Sequence, residues 1–485
     1  MSDPVTLRRE GAIAVITVDN PPVNALKHAV RAGLQKLFKE ADADKSVEAI
    51  VLTCAGRTFI AGADITEFGK PPMAPSLIDA ITDIDNVSKP TVAAIHGTAL
   101  GGGLEVALGC NYRVASKDAK LGLPEIKLGL IPGAGGTQRL PRLIGVEKAL
   151  PIILSGNPVS AGQALKDGLV DEIVEGDLTA GAIAFAKKAV AEKMPLKRAS
   201  KMDDKLADIR KNPDQYNDIA AKAVGRNKGL KAPMAAVEAV KWTLDVPFEE
   251  ALKRERNKFI ELLFTDESKS QRHAFFAERE ATKVLDMPAD TKSRDVKQAA
   301  VIGGGTMGGG IAMCFANAGI PVTLIETTEE FLKNGLAKIK TNYENTARRG
   351  GMTEADVEKR MALIKGAVGL EGAKDADMVI EAVFEEMGLK KEIFGKLDTI
   401  TKKGAILATN TSTLDVNEIA NSTSRPQDVI GMHFFSPANI MKLLEIVRGE
   451  KSAFDALQTA ITVGRKIAKV AVVVGVCYGF VGKRK

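Results

Sequence analysis

The stretch that decides the fold is "AAVIGGGTMGGGIAMCFANAG", residues 299–319. An apolar run of strand character meets glycines, and the glycines open a segment with helical spacing. Gly303, Gly305 and Gly308 stand within it as G-x-G-x-x-G. That triplet alone is weak, because glycines gather wherever a chain turns tightly; a glycine-rich turn in an unrelated α/β domain is the competing reading. The surroundings sharpen it. A second strand, "VTLIE", ends in Glu326, and each glycine then has a separate role, since one makes the turn, one admits a pyrophosphate and one lets helix and strand approach. Phosphates would rest on the helix N-terminus. Glu326 is placed to accept both ribose hydroxyls, which favours NAD over NADP.

Downstream, "MVIEAV", "AILATNTS", "VIGMHFF" and "KLLEIV" alternate with helical patterns, which predicts a parallel βαβ sheet. "VAVVVGV" (470–476) reads as one more strand, directly ahead of "CYGFVGKRK" (477–485). Upstream lies a polar stretch, "ATKVLDMPADTKSRDVK" (281–297). Before that, from Phe185 to Glu280, the texture is charged and helical, as in "FEEALKRERNKFIELLF" (248–264), with no convincing strand. The front of the chain is α/β again, with "AIAVITVD" (12–19), "EAIVLTC" (48–54) and "PTVAAIHG" (90–97) as buried strands. The boundaries expected are 1–184 for a first α/β core, 185–281 for a helical extension of it, 282–296 for a linker and 297–485 for a dinucleotide-binding domain.

The bulk numbers fit that plan. A length of 485 residues suggests about three domains. An apolar share of 45% with 26% charged is ordinary for a globular protein. The net charge of +6, with one tryptophan and four tyrosines, suits an anionic small substrate and argues against nucleic acid, which needs stacking platforms. Cys54, Cys110, Cys314 and Cys477 lie far apart without metal-ligand spacing, so they read as reduced core thiols and no metal is expected. No segment approaches a membrane span and no apolar core follows the N-terminal charges, which predicts no membrane insertion and a cytoplasmic location.

His433 stands at the end of an apolar strand in "VIGMHFFSPANIMKLLE". Taken singly, such a histidine is more often a satisfied core residue. Glu445 follows twelve residues on, where two adjacent strand ends can bring the groups together. A carboxylate beside an imidazole fixes its tautomer and raises its basicity, as is needed for taking a hydroxyl proton while hydride leaves. The glycine loop, "EAVFEEMGLKKEIF", "TNTSTL", "HFFSPANIMKLLE" and "GFVG" resemble, in order and spacing, the NAD-binding domain of the 3-hydroxyacyl-CoA dehydrogenases over residues 297–482. The resemblance implies a Rossmann-type domain in which His433 and Glu445 form the catalytic pair. It also implies that Ser412 contacts the substrate hydroxyl and that Glu385 and Lys390 lie along the NAD.

Two acids stand out in the front half. "IHGTALGGGLEVALGC" places Glu105 just inside a helix that begins after three glycines, and "LGLPEIKLGLIPGAGGTQRLPRLIG" places Glu125 after a proline and ahead of a second glycine turn. Either one alone reads as a charge complementing a helix N-terminus. Together, beside glycine-rich backbone, they suit addition of water across a double bond: one group activates water, one exchanges the carbon-bound proton, and amides take the charge gathering on a carbonyl oxygen. With "RTFIAGADI", these stretches resemble the enoyl-CoA hydratase/isomerase (crotonase) superfamily over residues 5 to about 180. The tail ending "SQRHAFFAERE" resembles that family's C-terminal segment and extends coverage to about 281. The resemblance implies a crotonase-type spiral fold and an oxyanion hole from the Ala63 and Gly102 amides. It also implies that Glu105 and Glu125 share the water and the proton, with Δ3,Δ2 isomerase activity as an accompaniment.

A hydratase followed by a dehydrogenase resembles the multifunctional enzymes of fatty-acid β-oxidation, in which one product is the next substrate. "GFVG" continues in that family with Asn-Arg, whereas Lys483 follows here, and the helical region that completes the acyl pocket does not follow. The expectation is therefore an active hydratase with NAD binding and a dehydrogenase impaired by truncation. A fully bifunctional enzyme and a non-catalytic CoA- or NAD-binding scaffold are the alternatives. Acyl-CoA thioesters are the partners expected, with self-association through apolar surface at Val474 to Val481, or a thiolase, as protein partners.

Overall fold

The computed structural model of the chain describes residues 3–71, 73–225 and 229–482, so Lys483 lies outside it. Two units separate, Met1–Phe275 and Phe276–Lys485. In the first, six strands lie in one sheet in chain order: β1 (Val5–Glu10), β2 (Ile13–Val18), β3 (Ala49–Cys54), β4 (Thr91–Ile95), β5 (Tyr112–Ser116) and β6 (Glu172–Val174). Only β1 runs antiparallel to its neighbour, joined by a tight turn at Gly11, whose φ is +63°. Alternate residues enter different cores. Ala14, Ile16, Ile50, Leu52, Ala93 and Ile95 face one, while Ile13, Val15, Ala49, Val51, Val92 and Ala94 face the other. A parallel sheet buried on both faces reads as a continuous apolar run, which is how these strands appear in the sequence.

A small second sheet joins Thr98–Leu100, Lys120–Gly122 and Val159–Ser160, and two short helices belong to the same unit. One is Gly102–Gly109, which the chain reaches through Gly101 at φ +54°; the other is Gly136–Ile144, reached through Gly135 at φ +106°. Each of these helix starts needs a left-handed backbone that favours glycine. Between 185 and 280 the described residues form helices and turns without a strand. Leu206, Tyr216, Ala236 and Phe259 of this region join the same core as Ala14 and Ile50.

The second unit is an eight-stranded sheet: β7 (Ala299–Ile302), β8 (Val322–Glu326), β9 (Ile364–Val368), β10 (Met378–Glu381), β11 (Ile406–Thr409), β12 (Val429–Phe434), β13 (Leu443–Arg448) and β14 (Val470–Gly475). Their order is β9-β8-β7-β10-β11-β12-β13-β14. The first six follow the doubly wound order 3-2-1-4-5-6, all parallel, with a crevice where the order reverses between β7 and β10. One expectation needs correcting: the sheet is not wholly parallel. β13 runs antiparallel to β12, because residues 435–442 return the chain without a crossover helix.

Candidate active sites

In the first unit the backbone brings Ala63 and Gly102 together. A Cβ on Gly102 would stand 3.4 Å from the Ala63 amide nitrogen and 2.9 Å from Leu77 Cδ2, so only glycine leaves this space open. Gly102 begins its helix, and its N–H therefore has no intrahelical acceptor. One residue earlier, a Cβ on Gly101 would lie 2.8 Å from Glu125 Oε1. The two amides and the Glu125 carboxyl thus border one small volume.

Glu105 and Glu125 occupy unlike surroundings. Glu105 Oε1 accepts hydrogen bonds from the Ala134 and Gly136 amides, both at 2.8 Å. Burial raises its pKa above the usual carboxyl value, and those two amides with the charges of Arg139 and Arg256 offset only part of that rise. Glu125 has no such cradle. Its Oε2 is buried with no hydrogen-bond partner among the described residues. Burial, and then the charge on Glu105, raise it well above the usual carboxyl range. Two interacting carboxyls that cannot both ionise easily will share one proton, and it belongs on Glu125. The arrangement provides a carboxylate to activate water, an acid to exchange a carbon-bound proton, and two amides for a developing oxyanion.

In the second unit, the glycine loop sits at the crevice. Gly303 has φ +98°, and a Cβ on Gly308 would fall 1.8 Å from the Gly303 carbonyl oxygen. A Cβ on Gly305 would meet nothing within 4 Å, so the approach to the N-terminus of helix Thr306–Asn317 is open. Glu326 Oε1 accepts from the Gly304 amide at 2.6 Å, which sets its carboxylate beside the loop. These residues fit NAD: an open glycine amide edge for the pyrophosphate and an acid for the ribose. When bound, NAD supplies the hydride acceptor.

β12 and β13 pair His433 directly with Glu445. His433 Nδ1 lies 2.7 Å from Glu445 Oε2, with both side chains buried. An Nδ1–H held on the carboxylate leaves Nε2 free to take a hydroxyl proton. The amides of Val481 and Gly482 donate to Glu445 Oε1 at 3.0 and 2.7 Å, and the rings of Phe435 and Phe480 lean on the imidazole. Ser412 turns its amide and hydroxyl to Glu385 Oε1, at 2.7 and 3.2 Å. Burial raises the Glu385 pKa, but the bonds from Ser412 and Thr411 and the charge of Lys390 outweigh it, and the net direction is down. Lys390 is buried, with Nζ 2.6 Å from Glu381 Oε1 and 3.5 Å from Glu385 Oε2.

Three elements escaped the sequence reading. Glu381 binds Lys390, the Val383 amide and the Thr409 hydroxyl, yet it looks like the polar end of a strand. The "GFVG" amides on Glu445 are backbone groups that no side-chain pattern announces. Glu255 is completely buried against the turn that serves Glu105, although it sits in a run of charged helical residues.

Comparison with known proteins finds two family domains along the chain. Residues 8–223 match the family described as enoyl-CoA hydratase/isomerase, and residues 298–477 match the NAD-binding domain of 3-hydroxyacyl-CoA dehydrogenase. The chain belongs to the family that joins these two enzyme domains in one polypeptide. Similar proteins include the peroxisomal bifunctional enzyme of Danio rerio, 42% identical over 479 residues that cover 98% of this chain and 65% of that protein. The Homo sapiens protein of the same name is 40% identical over 486 residues, covering 98% and 66%. The peroxisomal fatty acid beta-oxidation multifunctional protein MFP2 of Arabidopsis thaliana is 40% identical over 486 residues, covering 97% and 67%. The chain thus spans about two thirds of the length of the curated relatives it matches. The cytoplasmic expectation is overturned, since these relatives are peroxisomal or glyoxysomal by name. Hydropathy is blind to such a location, because organelle addresses of this kind are read by receptors and need no apolar segment.

Proposed function

We propose that this chain is a peroxisomal β-oxidation enzyme that adds water to 2-enoyl-CoA at Glu105 and Glu125, giving 3-hydroxyacyl-CoA. Its second site binds NAD and oxidises that product through His433 and Glu445. The observation that carries the reading is the contrast between the two acids: Glu105 cradled by two amides, and Glu125 orphaned and raised, its carboxyl against Gly101 next to Gly102. A scaffold without catalysis has no use for a buried, unpartnered carboxyl, which costs stability.

Oxidation by these residues alone is the slower of the two steps. The 3-hydroxyl must be held close to both His433 and the nicotinamide. The loops that follow β10 and β12 leave Phe384 and Ile440 exposed by 85% and 68%, and Tyr478 and Val481 are exposed likewise. An acyl chain laid across these loops stays in contact with water. The test is one reaction mixture of a medium-chain 2-enoyl-CoA with NAD, in which loss of the enoyl thioester and formation of NADH are followed together. Rapid enoyl loss with slow NADH supports the reading. Absence of enoyl loss removes it, and NADH formed as fast as the enoyl disappears makes the chain fully bifunctional.

A further inference from the structure

Four consecutive amides of the turn at residues 134–137 point alternately to two carboxyl groups. Those of Ala134 and Gly136 donate to Glu105 Oε1, both at 2.8 Å. Those of Gly135 and Thr137 donate to Glu255 Oε1 and Oε2, at 2.6 and 2.9 Å, and the Thr137 hydroxyl donates to Oε2 as well. Glu255 comes from the helix Phe248–Leu263, more than a hundred residues away in sequence. It is wholly buried. The same helix presses Phe259 onto the turn, where a Cβ on Gly133 would come within 2.6 Å of the ring. The turn has almost no freedom of its own: Gly135 sits at φ +106°, and a Cβ there would meet Arg139 Nη1 at 2.0 Å.

We propose that Glu255 is a positioning residue of the hydration site, gripping one edge of this turn so that the opposite edge holds Glu105 in place. The inference rests on the hydratase reading and assigns Glu255 no contact with substrate. The geometry separates it from an ordinary acid at a helix N-terminus. Such an acid has the first turn of its helix to itself, whereas here the adjacent amides of Ala134 to Thr137, at the start of helix Gly136–Ile144, are divided between Glu255 and the acid that activates water. If Glu255 lets go, Gly135 and Thr137 lose their acceptors, and the turn can rotate the Ala134 and Gly136 amides away from Glu105. Misplacement of a catalytic group by about an ångström costs up to about a hundredfold in rate.

The charged groups around Glu255 make a second readout. Facing it are Glu105 and Glu125 from the catalytic pair, and Arg256 beside it in its own helix; Arg139 reaches the same turn. The neighbouring helix Lys231–Asp245 contributes Glu238, which pairs with Lys258 at 3.8 Å. Above about pH 8, where Glu255 has itself ionised, its charge adds to burial and the charge of Glu105 in keeping the proton on Glu125. Removing that charge lets Glu125 ionise earlier. The alkaline limb of the rate profile, where the acid loses its proton, then moves to lower pH.

The test compares Glu255→Gln, Thr137→Val and Glu105→Gln with the parent enzyme, measuring kcat and KM for water addition to a 2-enoyl-CoA across pH. Glu255→Gln keeps the size and one acceptor of the side chain. Its kcat should fall about 10- to 100-fold with KM changed by less than about threefold, and its alkaline limb should move to lower pH. Thr137→Val, which removes only the hydroxyl donor, should move the same limb the same way by less, and it serves if Glu255→Gln does not fold. An unmoved limb overturns the inference, whether or not kcat drops, because a loosened fold lowers kcat without moving a pKa. Glu105→Gln separates the two readings. If it alone abolishes hydration while Glu255→Gln keeps the parent rate and limb, only the inference falls; if Glu105→Gln is as fast as the parent, the hydratase reading falls.

Discussion

Glu255 also has a signature in stability. Burial, and then the charge on Glu105, push its carboxyl up to about 8 from 4.5. Below pH 4.5 both folded and unfolded chains hold the proton, and folding carries no penalty from this group. Between 4.5 and about 8 the unfolded chain releases the proton while the folded one keeps it, so stability declines as pH rises. Glu255→Gln has nothing to titrate, and its melting temperature should fall less than the parent's over that window; parallel curves would show that Glu255 titrates normally. Glu326 gives a second residue-scale prediction. Glu326→Ser should weaken NAD about tenfold or more and narrow the gap to NADP, whose 2′-phosphate the carboxylate repels. Fluorescence titration with both cofactors checks this, and equal affinities in the parent would remove the role. The two residues differ in how far the sequence displays them. Glu326 ends a strand at a fixed interval from a glycine motif, and local pattern places it. Glu255 lies in "FEEALKRERNKFIELLF", where it looks like one more solvated charge. Its burial is set by packing against a turn that the chain made long before.

The glycine loop between β7 and the helix Thr306–Asn317 makes an element-scale prediction, because two of its glycines are required for different reasons. Gly308→Ala would drive a Cβ into the Gly303 carbonyl, at 1.8 Å, and should destabilise the whole second unit along with NAD binding. Gly305→Ala meets nothing within 4 Å at an ordinary φ of −68°, so its melting temperature should match the parent's. NAD should still bind it about tenfold or more weakly, since the new methyl occupies the approach to the pyrophosphate. Equal NAD affinity in parent and Gly305→Ala would move the phosphates elsewhere. The strand series β7, β8, β10, β11, β12 and β13 is legible from apolar runs alone, because strands buried on both faces leave an unbroken signal. β9 is an edge strand with lysine and glycine in "IKGAV", and β1 alternates with charges in "VTLRRE", so neither shows such a run. Strand direction is the other illegible property. Apolar pattern is the same for parallel and antiparallel pairing, and only the absence of a helix between β12 and β13 would have betrayed the reversal.

At the scale of the whole molecule, each unit has its own buried core, so heating should give two transitions rather than one. NAD at about a hundred times its Kd should stabilise the second unit by about 2.7 kcal/mol and leave the first where it was. Calorimetry with and without NAD checks this, and a single transition shifted as a whole would contradict it. On the function proposed above, the fusion brings together a site that makes a 3-hydroxyacyl thioester and a site that consumes one, and that proposal stands or falls on the first. The most direct measurement is the rate of water addition to a 2-enoyl-CoA by the parent, Glu105→Gln, Glu125→Gln and the double variant. The account predicts turnover by the parent and losses of about 10²- to 10⁴-fold in each single variant, with the double variant little slower than the worse single one, since the acids act as a unit. Either single variant adding water within about twofold of the parent rate would contradict it, because that acid would then be only a charge at a helix end.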